Sequence, residues 1–290
     1  MKKSRKLATL GICSALFLGL AACQQQHATS EGTNQRQSSS AKVPWKASYT
    51  NLNNQVSTEE VKSLLSAHLD PNSVDAFFNL VNDYNTIVGS TGLSGDFTSF
   101  THTEYDVEKI SHLWNQKKGD FVGTNCRINS YCLLKNSVTI PKLEKNDQLL
   151  FLDNDAIDKG KAFDSQDKEE FDILFSRVPT ESTTDVKVHA EKMETFFSQF
   201  QFNEKARMLS VVLHDNLDGE YLFVGHVGVL VPADDGFLFV EKLTFEEPYQ
   251  AIKFASKEDC YKYLGTKYAD YTGEGLAKPF IMDNDKWVKL

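Results

Sequence analysis

The sequence predicts an α+β protein in which helices come first and an antiparallel sheet follows. Apolar residues recur at helical spacing through the first half of the chain, and after Lys205 they adopt the alternating and continuous patterns of strands. Neither an internal repeat nor a second low-complexity segment divides residues 45–290. We therefore expect one α+β domain over residues 45–290.

The first 22 residues have the composition of an export signal. Basic residues within positions 2–6 precede an apolar segment, 7–20, that is too short for an ordinary membrane span. The segment ends in Leu20-Ala21-Ala22-Cys23, which resembles the lipobox of bacterial lipoproteins. That resemblance implies cleavage before Cys23, lipidation of its thiol, and a location on the extracytoplasmic face of a cell membrane. The alternative is an ordinary secretory signal followed by a chance cysteine.

Residues 23–44 are predicted to be a disordered tether, because they are rich in polar residues and contain no aliphatic cluster. Trp45 is the first large apolar residue after them. The whole chain has a formal net charge of -9, and loss of the basic signal makes the exported part more acidic still. This charge argues against nucleic acid as a partner.

Cysteine usage leaves three thiols in the exported domain. Cys13 belongs to the signal and Cys23 is assigned to lipid, so Cys126, Cys132 and Cys260 remain. An odd number leaves at least one thiol without an intrachain disulfide partner. Export permits a Cys132–Cys260 disulfide, which the sequence does not establish.

Four helices are predicted before residue 135. Cap-type or apolar residues place their starts at Ser57, Asn72, near Tyr105 and near Cys126, with a break at Gly89–Gly95. Further helices are expected within 153–205, and a last one over Glu258–Tyr268.

Strands are expected in the second half of the chain, at Met208–Leu213, Tyr221–Val231, Phe237–Leu243 and Ala251–Phe254. Ala233-Asp234-Asp235-Gly236 predicts a tight turn between the second and third of these strands.

Cys126 and His226 are the first two candidate site residues. Cys126 follows Thr124-Asn125 at a predicted helix start, where partial positive charge stabilises a thiolate. His226 heads the apolar run 227–231 and is flanked by Gly225 and Gly228, which predict a close approach by a helix. The alternatives are a small buried cysteine and a hydrogen-bonded core histidine.

Glu241 is the third candidate. It follows four apolar residues of a predicted strand, where a free carboxylate is costly without a partner. A hairpin turn at 234–235 places it near Val229 or Gly228, within reach of His226. A solvent-facing edge position is the alternative for Glu241, and Gln250 is a second, weaker candidate to orient the imidazole.

This order of residues resembles the papain-like cysteine hydrolases, and most closely their NlpC-type cell-wall branch. The resemblance implies a nucleophile at Cys126, a base at His226 and a third polar residue at Glu241. Asn125, Arg127 and Glu241 differ from the residues usual there. Gly123–Arg127 and Phe239–Phe254 also resemble a family of Gram-positive lipoproteins known as domain of unknown function 4300.

These features predict a membrane-anchored thiol hydrolase or amidase that acts on peptidoglycan peptides or other amides. A catalytically inactive binding lipoprotein of the same fold is the main alternative, and a solute-binding lipoprotein is a third. No cofactor and no metal site are expected. Asp153-Asn154-Asp155 begins like a calcium loop but lacks the later glycine and glutamate.

Overall fold

A computed structural model describes residues 46–101 and 103–290. The predicted export signal, Cys23, the tether, Trp45 and His102 lie outside these residues. Within them the chain forms eight α-helices and an antiparallel sheet, which confirms the α+β class. None of the described helices combines the length and the apolar composition needed to cross a bilayer.

The α-helices are α1 (Gln55–Ser66), α2 (Pro71–Val88), α3 (Val107–Lys118), α4 (Cys126–Leu134), α5 (Phe151–Gly160), α6 (Ser165–Leu174), α7 (Val186–Phe197) and α8 (Lys257–Lys267). The strands are β1 (Ala47–Thr50), β2 (Thr98–Ser99), β3 (Val138–Thr139), β4 (Val178–Pro179), β5 (Gln201–Phe202), β6 (Arg207–Asp215), β7 (Tyr221–Ala233), β8 (Gly236–Lys242), β9 (Tyr249–Phe254), β10 (Phe280–Asp283) and β11 (Lys286–Val288).

Most helices begin at side-chain caps, but two predicted starts need correction. The first helix is capped by Asn54, whose side chain accepts from the N–H of Ser57, so α1 begins before the predicted start at Ser57. The carboxylate of Asp70 caps α2 and Pro71 occupies its first turn, so α2 begins before the predicted cap at Asn72. Proline suits the first turn because its missing N–H has no intrahelical partner there. The four predicted strands and the helix α8 all form, within a few residues of their expected ends.

The main sheet has nine strands, in the order β11-β10-β6-β7-β8-β9-β1-β2, with β4 pairing on β7. The separation of helices from the sheet is less complete than predicted, because β1 lies before all the helices and pairs antiparallel with β9. The sequence did not indicate β1, β10 or β11, since each has at most four residues and is held by distant partners.

Both faces of the sheet are covered. Val227, Val229 and Val231 of β7 belong to the larger core, which the helices before β6 complete. Leu230 lies in a smaller core together with residues of α8 such as Leu264. β7 is therefore buried on both faces, and this explains why its sequence is a nearly continuous apolar run.

The close approaches at the glycines around His226 come from a different neighbour than predicted. A Cβ atom at Gly225 would lie 2.3 Å from Cδ1 of Leu213, and one at Gly228 would lie 2.3 Å from Cζ of Phe239. Side chains of the neighbouring strands β6 and β8, rather than a helix, make these close approaches. His226 also lies inside β7 and not at its beginning.

The crowding at Gly228 predicts a measurable loss of stability. Gly228→Ala would place a methyl group 2.8 Å from the carbonyl oxygen of Val240 as well as against Phe239. We expect the free energy of unfolding to fall by about 1–3 kcal/mol, as in other overpacked cores. Gly273→Ala is the control, because its nearest heavy atom outside the chain neighbours lies at an ordinary 3.6 Å. Equal urea midpoints for the two variants would contradict this account.

Candidate active site

The turn before α4 places Cys126 at the first position of the helix, as predicted. Asn125 is the N-cap, and its side-chain oxygen accepts a hydrogen bond from the backbone N–H of Ile128 at 3.1 Å. Gly123 has a φ of +90°, and its missing side chain leaves room for the ring of Trp114. The local sequence thus fixes both the start of α4 and the direction in which the chain enters it.

A buried ion pair fastens this helix start to its surroundings. Arg127 Nε donates to Asp153 Oδ1 at 2.9 Å, and its Nη2 donates to Oδ2 at 2.7 Å. Its Nη1 donates to the carbonyl oxygen of Val224 on β7 at 2.9 Å, while Asn125 Nδ2 donates to Asp153 Oδ1 at 2.7 Å. Asn125 and Arg127 are the two residues beside the cysteine that differ from the NlpC-type pattern. Together they hold the start of α4 against α5 and β7.

A second polar cluster supports the same turn from the other side. Asn129 Nδ2 donates to Thr124 Oγ1 at 2.9 Å and to the carbonyl oxygen of Asn125 at 2.8 Å. The hydroxyl of Tyr249 donates to Asn129 Oδ1 at 3.0 Å. These bonds satisfy buried polar groups and tie β9 to the first turn of α4.

His226 interacts with both Cys126 and Glu241, so the structure brings the three predicted site residues together. Its Nε2 is 2.6 Å from Oε2 of Glu241. Burial alone would lower the pKa of His226, but interactions with Cys126 and Glu241 outweigh it and raise the pKa above the ordinary value. The hairpin has the predicted register, since Val229 pairs with Val240 and Glu241 comes one residue later.

Glu241 has further partners that explain a carboxylate on an apolar strand. The hydroxyl of Tyr263 donates to its Oε1, and Lys267 Nζ lies 3.4 Å from the same oxygen. Burial acts to raise the pKa of Glu241, yet Lys267, His226 and Tyr263 together lower it to about 2. The carboxylate is thus ionised and shared between the imidazole and α8.

Gln250, the weaker candidate, does not orient the imidazole. It pairs with Glu241 across β8 and β9, but its Nε2 donates to the hydroxyl of Tyr105 at 2.7 Å. The imidazole is positioned instead by the ring of Tyr268, which is stacked on it with centroids 4.9 Å apart. This aromatic contact could not be predicted from the sequence, because Tyr268 follows α8 and is far from His226 along the chain.

The three site residues are deeply buried. Relative exposure is 2% for Cys126, 2% for His226 and 1% for Glu241. Cys126, Cys132 and Cys260 are all free and buried, so the Cys132–Cys260 disulfide that export would permit is not formed. Burial raises the pKa of the Cys132 thiol to about 12 and that of the Cys260 thiol well above its ordinary value.

Lys242 is a buried cation beside the site that the sequence did not identify. Its Nζ donates to the carbonyl oxygens of Thr244 at 2.7 Å, Phe245 at 3.1 Å and Glu247. The ammonium also lies 4.2 Å from the ring centroid of Tyr84. Burial lowers the pKa of Lys242 to about 7, against the opposing charges of Glu246, Glu247 and Cys126.

Two histidines without predicted partners form a separate buried pair. The rings of His189 and His214 have centroids 4.4 Å apart. His189 Nδ1 lies 2.6 Å from Thr180 Oγ1, and His214 Nε2 lies 2.7 Å from Glu220 Oε2. Their contacts join α7 to β6, away from the three candidate residues.

The acidic run at 153–155 is part of α5, and Asp153 is engaged by Arg127. Among the described residues, no cluster of three or more His, Cys, Asp or Glu side chains has an arrangement suited to a metal ion.

A family model described as "Domain of unknown function (DUF4300)" matches residues 48–288. No curated protein matches the chain. No solved structure matches it either.

The Arg127–Asp153 pair predicts a site-specific loss of stability. Asp153→Asn would remove the carboxylate charge that the largely buried guanidinium bonds through two of its nitrogens, so we expect the free energy of unfolding to fall by about 3 kcal/mol. Asp158→Asn, which breaks the more exposed pair with Lys168, should cost less than about 1 kcal/mol. Urea unfolding of both variants provides the comparison, and similar losses would show that the buried pair does not anchor the helix start.

The lowered pKa of Glu241 predicts how the free energy of unfolding depends on pH. Because its folded-state pKa is about 2 against an ordinary 4.5, the ionised carboxylate contributes stability above about pH 4.5. That contribution is lost as the pH falls towards 2. The stability difference between wild type and Glu241→Gln should therefore be largest above pH 4.5 and shrink at pH 3. Glu258→Gln, at an exposed position on α8, should show no such trend, and a pH-independent difference for Glu241→Gln would contradict the assignment.

Proposed function

The chain belongs to the DUF4300 family, and we propose that it is a papain-like thiol hydrolase or amidase. One observation carries the proposal: a single imidazole contacts a thiol at a helix start and a carboxylate on the neighbouring strand. This is the arrangement by which a base activates a nucleophile while a third group orients the base.

We propose a role for each ring nitrogen of His226. Nε2 is occupied by Glu241, which leaves Nδ1 to exchange a proton with the Cys126 thiol. The raised pKa favours the imidazolium, and a neighbouring positive charge is what stabilises thiolates in general. Glu241 keeps the ring oriented and balances its charge.

The reaction would proceed through an acyl-enzyme. The Cys126 thiolate attacks the substrate carbonyl carbon, and the imidazolium of His226 then gives its proton to the departing amine. His226 next takes a proton from water, whose oxygen attacks the thioester, and the proton returns to the thiol as the acid product leaves. The backbone N–H of Cys126, at the first helical position, supplies one donor to the oxyanion.

The differences from the NlpC-type pattern are compatible with this proposal. Asn125 and Arg127 support the helix start through Asp153, and neither side chain takes the place of the thiol or the imidazole. Glu241 in place of a neutral third residue adds negative charge behind the ring, which favours the imidazolium–thiolate form.

We further propose that the enzyme acts at the cell envelope, anchored through lipid on Cys23. The support is the lipobox-like sequence and the polar segment that follows it. Peptidoglycan peptides are the proposed substrates because they surround such an anchor. They also contain the amide bonds that a thiol nucleophile cleaves.

The burial of Cys126 favours a second candidate, a binding lipoprotein that keeps the fold without turnover. At 2% exposure the thiol is closed to solvent in this structure, and buried polar networks also serve to stabilise a core. Fold alone does not decide between these functions.

Selective alkylation distinguishes the two candidates. In the native protein, iodoacetamide should modify Cys126 first, because His226 activates it while burial raises the pKa of Cys132 and Cys260. His226→Ala should slow modification of Cys126 at least about tenfold, since general-base assistance contributes that much or more. Peptide mapping by mass spectrometry gives the rate for each cysteine.

Cys132 and Cys260 act as internal controls within the same chain, and unfolding in urea should make all three thiols react alike. Equal native rates for the three cysteines, or a Cys126 rate unaffected by His226→Ala, would exclude the hydrolase and leave the binding protein.

A further inference from the structure

We propose that a cavity beside the Cys126 turn receives an apolar, preferably aromatic, acyl group of the substrate. The cavity has a volume of about 320 Å³, and Gly123 and Thr124 of the turn form part of its wall. This size suits a small ligand group. The inference rests on the proposed function and names its substrate class.

Four aromatic rings contribute to the remaining wall. Tyr84 of α2, Trp114 of α3, Phe121 and Tyr249 of β9 all line the cavity. Rings from four separate parts of the chain thus converge next to the residues that lead into α4. Such a wall favours a flat or branched apolar group through burial and ring contacts.

The polar atoms of these rings are already engaged by the protein. Trp114 Nε1 donates to the carbonyl oxygen of Phe121 at 2.6 Å. The Tyr84 hydroxyl donates to the backbone carbonyl oxygen of Glu246. The Tyr249 hydroxyl donates to Asn129. The donors of these three rings are therefore satisfied within the protein, which argues for an apolar occupant over a sugar or another group that needs them.

One charged pair in the wall suits the amide that accompanies such a group. Lys118 Nζ and Asp83 Oδ1 are 2.7 Å apart, and both residues line the cavity. Together they present a donor and an acceptor, the pattern that a peptide group complements. Lys159, the remaining charged residue of the lining, is paired with Asp120 and Asp155. An apolar acyl group within a peptide is thus the ligand that the lining favours.

The position of the cavity connects it with the proposed chemistry. Thr124 lies two residues before Cys126, and Tyr249 hydrogen-bonds to Asn129 in the first turn of α4. A larger cavity of about 470 Å³ lies along α7 and is lined by no residue of the turn that leads into Cys126. The smaller cavity is therefore the one placed to select a substrate for Cys126.

Two chromogenic esters with the same leaving group test the proposal on the full chain. We expect kcat/KM for 4-nitrophenyl 3-phenylpropionate to exceed that for 4-nitrophenyl acetate by about tenfold or more. Ala162→Phe and Leu80→Phe, which place a ring in the cavity, should each remove this preference. Ala255→Phe, at an exposed position, is the matched control and should retain it.

The outcomes separate the two hypotheses. Ester turnover that survives Cys126→Ser, or alkylation of Cys126 that does not depend on His226, overturns the proposed function. Cys126-dependent turnover with equal rates for both esters overturns the cavity assignment alone. The cavity assignment is also overturned if the preference for the 3-phenylpropionate ester survives in both Ala162→Phe and Leu80→Phe while circular dichroism shows that both variants are folded.

Discussion

The site depends on the buried pair between Arg127 and Asp153. It joins the start of α4 to α5, while the third guanidinium nitrogen bonds the carbonyl of Val224 on β7. A nucleophile and a base on different elements can exchange a proton only if those elements keep their separation to within a few tenths of an ångström. Arg127 is one residue from Cys126, and its bond to Val224 reaches β7 two residues from His226. The two bonds to Asp153 hold the guanidinium in place for this link, and desolvation makes the pair sensitive to the loss of either partner.

The parts of the site that could be predicted were those encoded locally. The turn at Asp234–Asp235 sets the β7–β8 register and so brings Glu241 near His226, and the cap at Asn125 sets the start of α4. The partners that complete the site come from far along the chain: Asp153, Tyr263 and Lys267 meet their targets only in the folded protein. No spacing rule connects them, so their roles could not be deduced from one sequence.

Similarly, β1 was not predicted because four residues carry too little periodicity, although the strand completes the sheet beside β9. The helical approach expected at Gly225 and Gly228 was wrong for a related reason. A glycine indicates that something comes close but not what it is, and here neighbouring strands supply bulky side chains where a helix was expected. The apolar pattern of β7 was informative because both of its faces are covered.

The ammonium of Lys242 sits where an isolated metal cation would satisfy the same ring of oxygens. Its acceptors are all backbone carbonyls of residues 244–247, so the connection between β8 and β9 is wound around a tethered positive ion. A side chain at the entrance of this connection thus holds it from within, together with Thr244, whose hydroxyl accepts from the N–H of Glu247. The connection therefore depends on a residue that lies outside it, and loss of Lys242 would take one shared donor from three carbonyl oxygens at once.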